Sequence, residues 1–324
     1  MTIGGRTLRP GRRPGSSARS SGPPGRRSEA VAGYLFIAVP MVLFLVLFIG
    51  SIAYAGWISL WDWNLRLGPE EFRGLDNYTR ALRDPNFQRA LSNILWYALL
   101  WIPLTMALGL SLAVIVNQPL RGRTFFRATF YFPAIASSAA ITLLWILIVS
   151  PNGLFNQARE AMGLNPLFEL LGWGPNQNWM GDQRTALLSV VVLNAWTTSG
   201  TFMLFYLASL QGIPNEVYEA AAIDGAGPWQ SFWRITFPLL RPGHYFVATV
   251  ALIGALQLFD QAYIGGGVNG DPNNSLMSPV LYLYNSAFQQ SDFSKAAAVG
   301  VILFVIILSA TLIQRHFLGR TEAS

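Results

Sequence analysis

Six stretches of this sequence are long and apolar enough to cross a bilayer: about 31–58, 92–117, 126–150, 185–211, 243–264 and 294–316. A helical span needs roughly 20 apolar residues to cross about 30 Å of hydrocarbon. Six such runs leave little chain for anything but an all-α membrane protein, with the remaining residues as loops and tails. The first run follows a basic tail and is trailed by Ala53-Tyr54-Ala55, as in a secretory signal. Its apolar stretch from Val31 to Ala53 far exceeds the roughly 7–15 residues of a signal core, so it is expected to remain as a span.

Charge sets the orientation. Only 12% of residues are charged, against about 25% in a typical soluble domain. The formal net charge of +6 does not imply nucleic acid, because seven arginines (Arg6, Arg9, Arg12, Arg13, Arg19, Arg26, Arg27) against Glu29 in the first 30 residues account for all of it. Residues 1–29, rich in Gly, Pro, Ser and Arg, are expected to be a disordered cytoplasmic tail. The tail, the loop "QPLRGRTFFR" and the end "QRHFLGR" are basic, whereas the loops at 59–91, 151–184 and 265–293 carry no basic excess. The positive-inside rule then puts both termini, and the segment between spans four and five, in the cytoplasm. Cysteine is absent, which removes disulfides and thiolate chemistry.

That segment, "NEVYEAAAIDGAGPWQSFWRITFPLLRP" (215–242), is too polar for lipid. Pro214 suits the first turn of one short helix, and Gly225 suits the left-handed residue that closes it. Gly227-Pro228 restarts the chain as a second helix, and Pro238 disfavours helix at the residue before it. Trp229, Phe232, Trp233 and Phe237 share one face of that second helix. An amphipathic loop lying on lipid is one reading. Glu216, Glu219 and Asp224 favour the other, a protein partner, because anionic lipid would repel them.

The order Glu219-Ala220-Ala221, three residues, Gly225, nine residues, Ile235, one residue, Phe237-Pro238 resembles the EAA loop of ATP-binding-cassette importer permeases. That family usually has Leu where Phe237 stands. The segments 75–97, 178–196, 210–227 and 259–267 are similar to its carbohydrate-importing branch, which includes the larger permease of maltose and glycerol-phosphate systems. The resemblance implies a MetI-like type I importer fold with six transmembrane helices in a permease domain at 30–318, a coupling loop at 213–242 and a tail at 319–324. It also implies a bacterial cytoplasmic-membrane location and three kinds of partner: an ATPase dimer, a second permease and an extracytoplasmic solute-binding protein. Glu219, Ala220, Ala221, Asp224, Gly225, Ile235 and Pro238 would form the surface that docks on the ATPase.

The chain holds no Walker A loop, since its one lysine, Lys295, sits in "DFSKAAA". ATP and magnesium are therefore expected on a separate ATPase, and no cofactor is expected on this chain. His244 and His316 fall near opposite ends of the last two spans, without a metal-protease spacing, so an enzyme is not expected. An ion-driven secondary carrier is the remaining alternative.

Span four carries Asn194, Thr197, Thr198 and Thr201 at i, i+3, i+4 and i+7, hence on one face. Asn194 lies about nine residues, or roughly 14 Å, from the outer end, near the depth where transporter sites cluster. Helix–helix packing is the other use of such a stripe. In maltose-like permeases an asparagine in an N-x-W context contacts sugar, and "NAW" puts Asn194 at that position. Trp196 should point away from Asn194 and pack. In span five Gln257 is the better candidate for solute contact, and Asp260 is expected near the outer interface in a solvated or capping role. Sugars, polyols and glycerol phosphodiesters all suit such a stripe.

Overall fold

The computed structural model describes residues 26–118 and 122–318. Most of the expected disordered tail, and the tail at 319–324, lie outside the described residues. Arg26 to Glu29, assigned above to the disordered tail, are instead the first turn of helix α1 (Arg26–Phe44). A wider π turn (Leu45–Gly50) leads from α1 into α2 (Ser51–Ile58). The chain divides into two compact units, Met1–Ile52 and Ala53–Ser324.

The second unit opens with a feature that corrects the all-α expectation. Strands β1 (Trp61–Asn64) and β2 (Gly68–Phe72) form an antiparallel hairpin with Trp61 opposite Phe72 and Asp62 opposite Glu71. The turn follows from its residues. Asn64 Oδ1 accepts from the Arg66 amide at 2.9 Å, as asparagine does in an Asx turn, and Gly68 takes the left-handed φ of +83°. Short helix α3 (Asp76–Arg83) follows, then α4 (Pro85–Asn117). Asp84 starts α4 by accepting from the Asn86 amide at 2.9 Å, with Pro85 in the first turn. At 1.5 Å per residue α4 is about 50 Å long, enough to cross the bilayer and extend beyond it.

The core is α4 packed along α9 (Ala186–Gln211). At Gly109 an added Cβ would meet the Phe202 Cβ at 2.7 Å, closer than real side chains approach, so glycine is what lets the two helices touch. Tyr97, Trp101, Phe202, Met203 and Tyr206 are buried at this seam.

Two expected spans are broken. The run at 126–150 is two helices, α5 (Arg123–Ile135) and α6 (Ser138–Ile148), bent by 95°. Pro133 removes a backbone donor from the last turn of α5, and Ala136 is extended. The run at 243–264 is α13 (Arg241–Leu256), a three-residue break, and α14 (Asp260–Gly266). The break leaves a carbonyl at Leu258, and the buried Ser278 hydroxyl donates to it at 2.5 Å. Helix α15 (Pro279–Tyr284), capped by Ser278, and α16 (Phe293–Leu318) complete the unit. Among the described residues five helices are long and apolar enough to cross a membrane, and a sixth is obtained if the bent pair counts as one span.

Between the bent pair and α9 lie α7 (Leu154–Ala161) and α8 (Asn165–Leu170), folded around a buried arginine. Arg159 donates to the Asn165 side chain at 2.9 Å and to the Gly174 carbonyl at 2.7 Å, and its guanidinium lies 5.0 Å from the centre of the Phe168 ring. Asp182, in the lead into α9, accepts from the Arg184 amide at 2.8 Å and from Gln177 at 3.0 Å. These bonds, the backbone one first, hold its carboxyl below the ordinary aspartate pKa.

Candidate functional site: a capped loop joined to a polar cavity

The segment after α9 forms α10 (Asn215–Ile223), then α11 (Pro228–Ser231), a π turn (Phe232–Thr236) and α12 (Phe237–Leu239). Pro214 precedes α10 as its N-cap in an extended conformation, and Pro228 occupies the first turn of α11. Gly225 has φ +79°. Around it the Gly225 amide reaches the Ala222 carbonyl at 3.1 Å and the Ala226 amide reaches the Ala221 carbonyl at 2.9 Å. This pair of bonds is the Schellman ending of a helix. It gives the spacing from Glu219-Ala220-Ala221 to Gly225 a physical meaning, because the acceptor carbonyls and the left-handed residue must stand that far apart.

The expectation that Pro238 would break the helix at Phe237 is not met. Phe237 is helical (φ −60°, ψ −45°). The preceding turn is π-helical, and such a bulge accommodates a residue that the regular ladder cannot. Tyr218 and Thr236 hydroxyls stand 3.2 Å apart and tie α10 to that turn. Ala221 is buried at this junction, Ile235 is half-buried, and Glu216, Glu219, Ala220, Ala222 and Asp224 are exposed. Ile223, 87% exposed, stands among those acids as an apolar knob. Sequence reasoning passed over it, although an isoleucine beside three acids in a polar loop is a readable signal.

Trp229, Phe232, Trp233 and Phe237 do share a face, and they line one wall of a groove of about 1080 Å³ whose other wall is Ile102 and Met106 of α4. From Phe237 a contact chain leads into the bundle. Its ring centre lies 4.6 Å from that of His244 in α13. The His244 ring nitrogens stand 3.2 Å from the Phe237 carbonyl and 3.0 Å from the Tyr206 hydroxyl of α9. Tyr206 is fully buried, so the chain of contacts ends on the helix that carries the polar stripe.

That stripe faces two adjoining cavities. One, about 340 Å³, is lined by Asn194 and Thr198 of α9, Tyr97 and Trp101 of α4, and Gln257 and Asp260 at the break after α13. The other, about 200 Å³, is lined by Thr197, Thr198, Thr201, Ser138 and Gln261, so Thr198 and Gln261 belong to both. All six pathway residues expected from the sequence therefore lie on these cavities. Gln261 reaches across to Ser138 at 3.0 Å and holds α14 against α6. Asn194 is only 5% exposed, and its amide donates to the Tyr97 hydroxyl at 2.7 Å. The Tyr97 and Trp101 rings stack 12° from parallel with centres 5.6 Å apart, giving a flat aromatic wall. Neither residue was singled out from the sequence, because i and i+4 aromatics in an apolar span read equally well as packing. Asp260, in the first turn of α14, is exposed, as a solvated or helix-capping acid would be. Trp196 lines neither cavity and is 46% exposed on the outside of this chain. With Leu188 and Val192 it forms an outward apolar strip at four-residue spacing.

A family model described as "Binding-protein-dependent transport system inner membrane component" matches residues 74–322. The chain is 34% identical over 287 residues, 88% of its length and 94% of the relative's, to a probable ABC transporter permease protein, YurN, of Bacillus subtilis (strain 168). It is 33% identical to the arabinooligosaccharides transport system permease AraP of the same organism, with 90% of each chain covered. It is 32% identical to the trehalose/maltose transport system permease MalF of Thermococcus litoralis, covering 88% of this chain and 92% of that one. Among solved structures, a bacterial alginate ABC transporter in complex with an alginate pentasaccharide-bound periplasmic protein contains a chain that superposes with a TM-score of 0.76 at 20% identity, covering 92% of this chain and 99% of that chain. That likeness supports the fold: a helical importer-permease bundle.

Proposed function

The chain belongs to the family of binding-protein-dependent transport system inner membrane components, and on that premise we propose that it carries a sugar or oligosaccharide through the membrane for an ATPase held on separate subunits. It is a multi-pass protein of the cytoplasmic membrane. The reading has both termini and the 213–242 loop in the cytoplasm, six spans with α5–α6 counted as one, a second permease beside this one, and a solute-binding protein outside. ATP and magnesium belong to the ATPase dimer.

The observation that carries the reading is the contact chain from a capped, acidic loop through Phe237 and His244 to Tyr206 of α9, the helix whose polar stripe lines the cavities. A transporter needs a free-energy difference between two states, and nucleotide supplies it by favouring the closed ATPase dimer. The loop would move with that dimer, and α9 would move with the loop. Glu219, Ala220, Asp224 and Gly225 would act at the docking surface, while Ile235 and Pro238 hold the second helix behind it.

For the solute, amide and hydroxyl groups together with the Tyr97–Trp101 wall suit a neutral polyhydroxy compound, and several relatives are named for such sugars. A glycerol phosphodiester is less well served, because among the described residues the one charged group lining these cavities is the acid Asp260. A polyol suits the same lining. Uptake of labelled sugar into vesicles carrying the complete complex tests the function: it should require ATP and fail with Gly225→Val. ATP-independent uptake by this chain alone would favour an ion-driven carrier.

A further inference from the structure

The β1–β2 hairpin lies outside the residues matched by the family model, and nothing in the transport reading uses it. Its two faces differ sharply. Trp61, Trp63 and Phe72 lie on one face, where Tyr54 and Trp57 of α2 meet Trp61 and Trp63 edge-on or tilted, with neighbouring ring centres 5.2 to 6.0 Å apart. Trp61 and Trp63 are half-buried, and Tyr54, Trp57 and Phe72 form the exposed part of this aromatic face. Asp62 and Glu71 lie on the other, paired with Arg73 at 3.0 and 3.4 Å. The tip is Leu65-Arg66-Leu67, with the leucines 72% and 77% exposed. Such a tip is costly in water unless something apolar receives it.

The hairpin is also held at a fixed height. The Trp63 amide donates to the Ser294 hydroxyl at 2.7 Å, at the first turn of α16. Fully buried Asn77 donates to the carbonyls of Ser59 and Trp61 at 3.0 and 2.9 Å. Ser294 begins a membrane-crossing helix, so the aromatic face stands at the level of a bilayer boundary. Tryptophan and tyrosine concentrate at that level, where an apolar ring meets the polar headgroups. Arg66 between the two leucines matches the lipid phosphates, since its guanidinium can remain among them while the leucines enter the acyl region.

We infer that this hairpin is a membrane-interface anchor, seated by its aromatic face and leucine–arginine tip in the phospholipid headgroup layer with its charged face toward water. Placing it in the outer leaflet rests on the orientation proposed above. The seat fixes the height and tilt of the end of α2 and of the outer end of α16 relative to the bilayer.

The chain contains no cysteine, so Leu67→Cys places a single thiol at the tip, and Leu65→Cys is a second choice if the first lowers expression. The complete complex, bimane-labelled at that thiol, is reconstituted in phosphatidylcholine vesicles bearing a nitroxide near the headgroup. Loss of emission with the nitroxide lipid, little loss with aqueous iodide, and iodide quenching of a label at Glu71→Cys are expected. Iodide quenching at the tip without nitroxide quenching would overturn the anchor by placing the tip in water. Quenching by neither would overturn it in favour of a protein partner covering the tip. An impermeant maleimide applied to cells reads orientation separately at the water-facing Glu71→Cys: labelling only after the cells are opened would reverse the topology while the nitroxide result still decides the anchor.

Discussion

Within this chain, Gly225 offers a perturbation whose effect is conformational rather than steric. At φ +79° a Cβ would meet no atom within 4 Å, so a Cβ adds no clash with the rest of the chain. The cost is the left-handed backbone itself, about 1–2 kcal/mol for a residue with a Cβ, and more for a β-branched one. One or two kcal/mol is a factor of about 5–30 in a two-state population. Gly225→Val should therefore lower by at least that factor the ratio of chains whose α10 ends with its Ala221 and Ala222 carbonyls capped to chains in which it does not. Gly225→Asn should remain near the parent, because asparagine enters this region far more readily than other side chains. Hydrogen exchange at the Gly225 and Ala226 amides reads the cap, and ATP-driven uptake by the reconstituted complex reads the coupling. The expected pattern is fast exchange and lost uptake for valine, with both largely kept for asparagine. If asparagine fails as completely as valine, or if valine transports normally with the cap lost, the argument from backbone geometry is wrong.

Tyr97→Phe leaves the buried Asn194 amide without its acceptor, at about 1–3 kcal/mol. Thermal unfolding of the purified complex should show that loss, together with a raised KM for uptake; an unchanged melting temperature would mean that water already fills the site. Gly109→Ala drives a Cβ into Phe202 and should cost about 1–3 kcal/mol by overpacking α4 against α9, seen as a lower Tm; an unchanged Tm would show that the seam yields easily. Asp182 titrates below the ordinary carboxylate range when folded, so the unfolded segment takes up the proton first as pH falls. Its contribution is complete above the ordinary value and is lost as pH drops through the folded one. Hydrogen exchange across 150–185, corrected for intrinsic rates, should show this acid loss in the parent and little of it in Asp182→Asn; identical profiles would remove Asp182 from the account.

The sequence alone indicated the membrane character, supplied the orientation proposed for the loops, and marked the end of α10 at Gly225 and the start of α11 at Pro228. Each depends on local chemistry: apolar length against bilayer thickness, arginine placement, and the backbone preferences of Gly225 and Pro228. Pro214, expected in the first turn of α10, stands before it as an extended N-cap. The alternating Trp61-Asp62-Trp63-Asn64 also carried a period of two that marks a strand, but it is too short to stand out beside long apolar runs. Tertiary structure decided the rest. Breaks at Ala136 and at Gln257 to Phe259 are tolerated because partners distant in sequence, Ser278 for the Leu258 carbonyl and Ser138 for Gln261, satisfy or support the freed chain. The i, i+3, i+4, i+7 stripe on α9 was legible as a face. That it packs against α4 at Asn194 and also opens onto a cavity walled by Tyr97 and Trp101 depends on how α4 crosses it. A helical face records which residues point the same way, and only the neighbouring helices decide whether that direction holds protein or space.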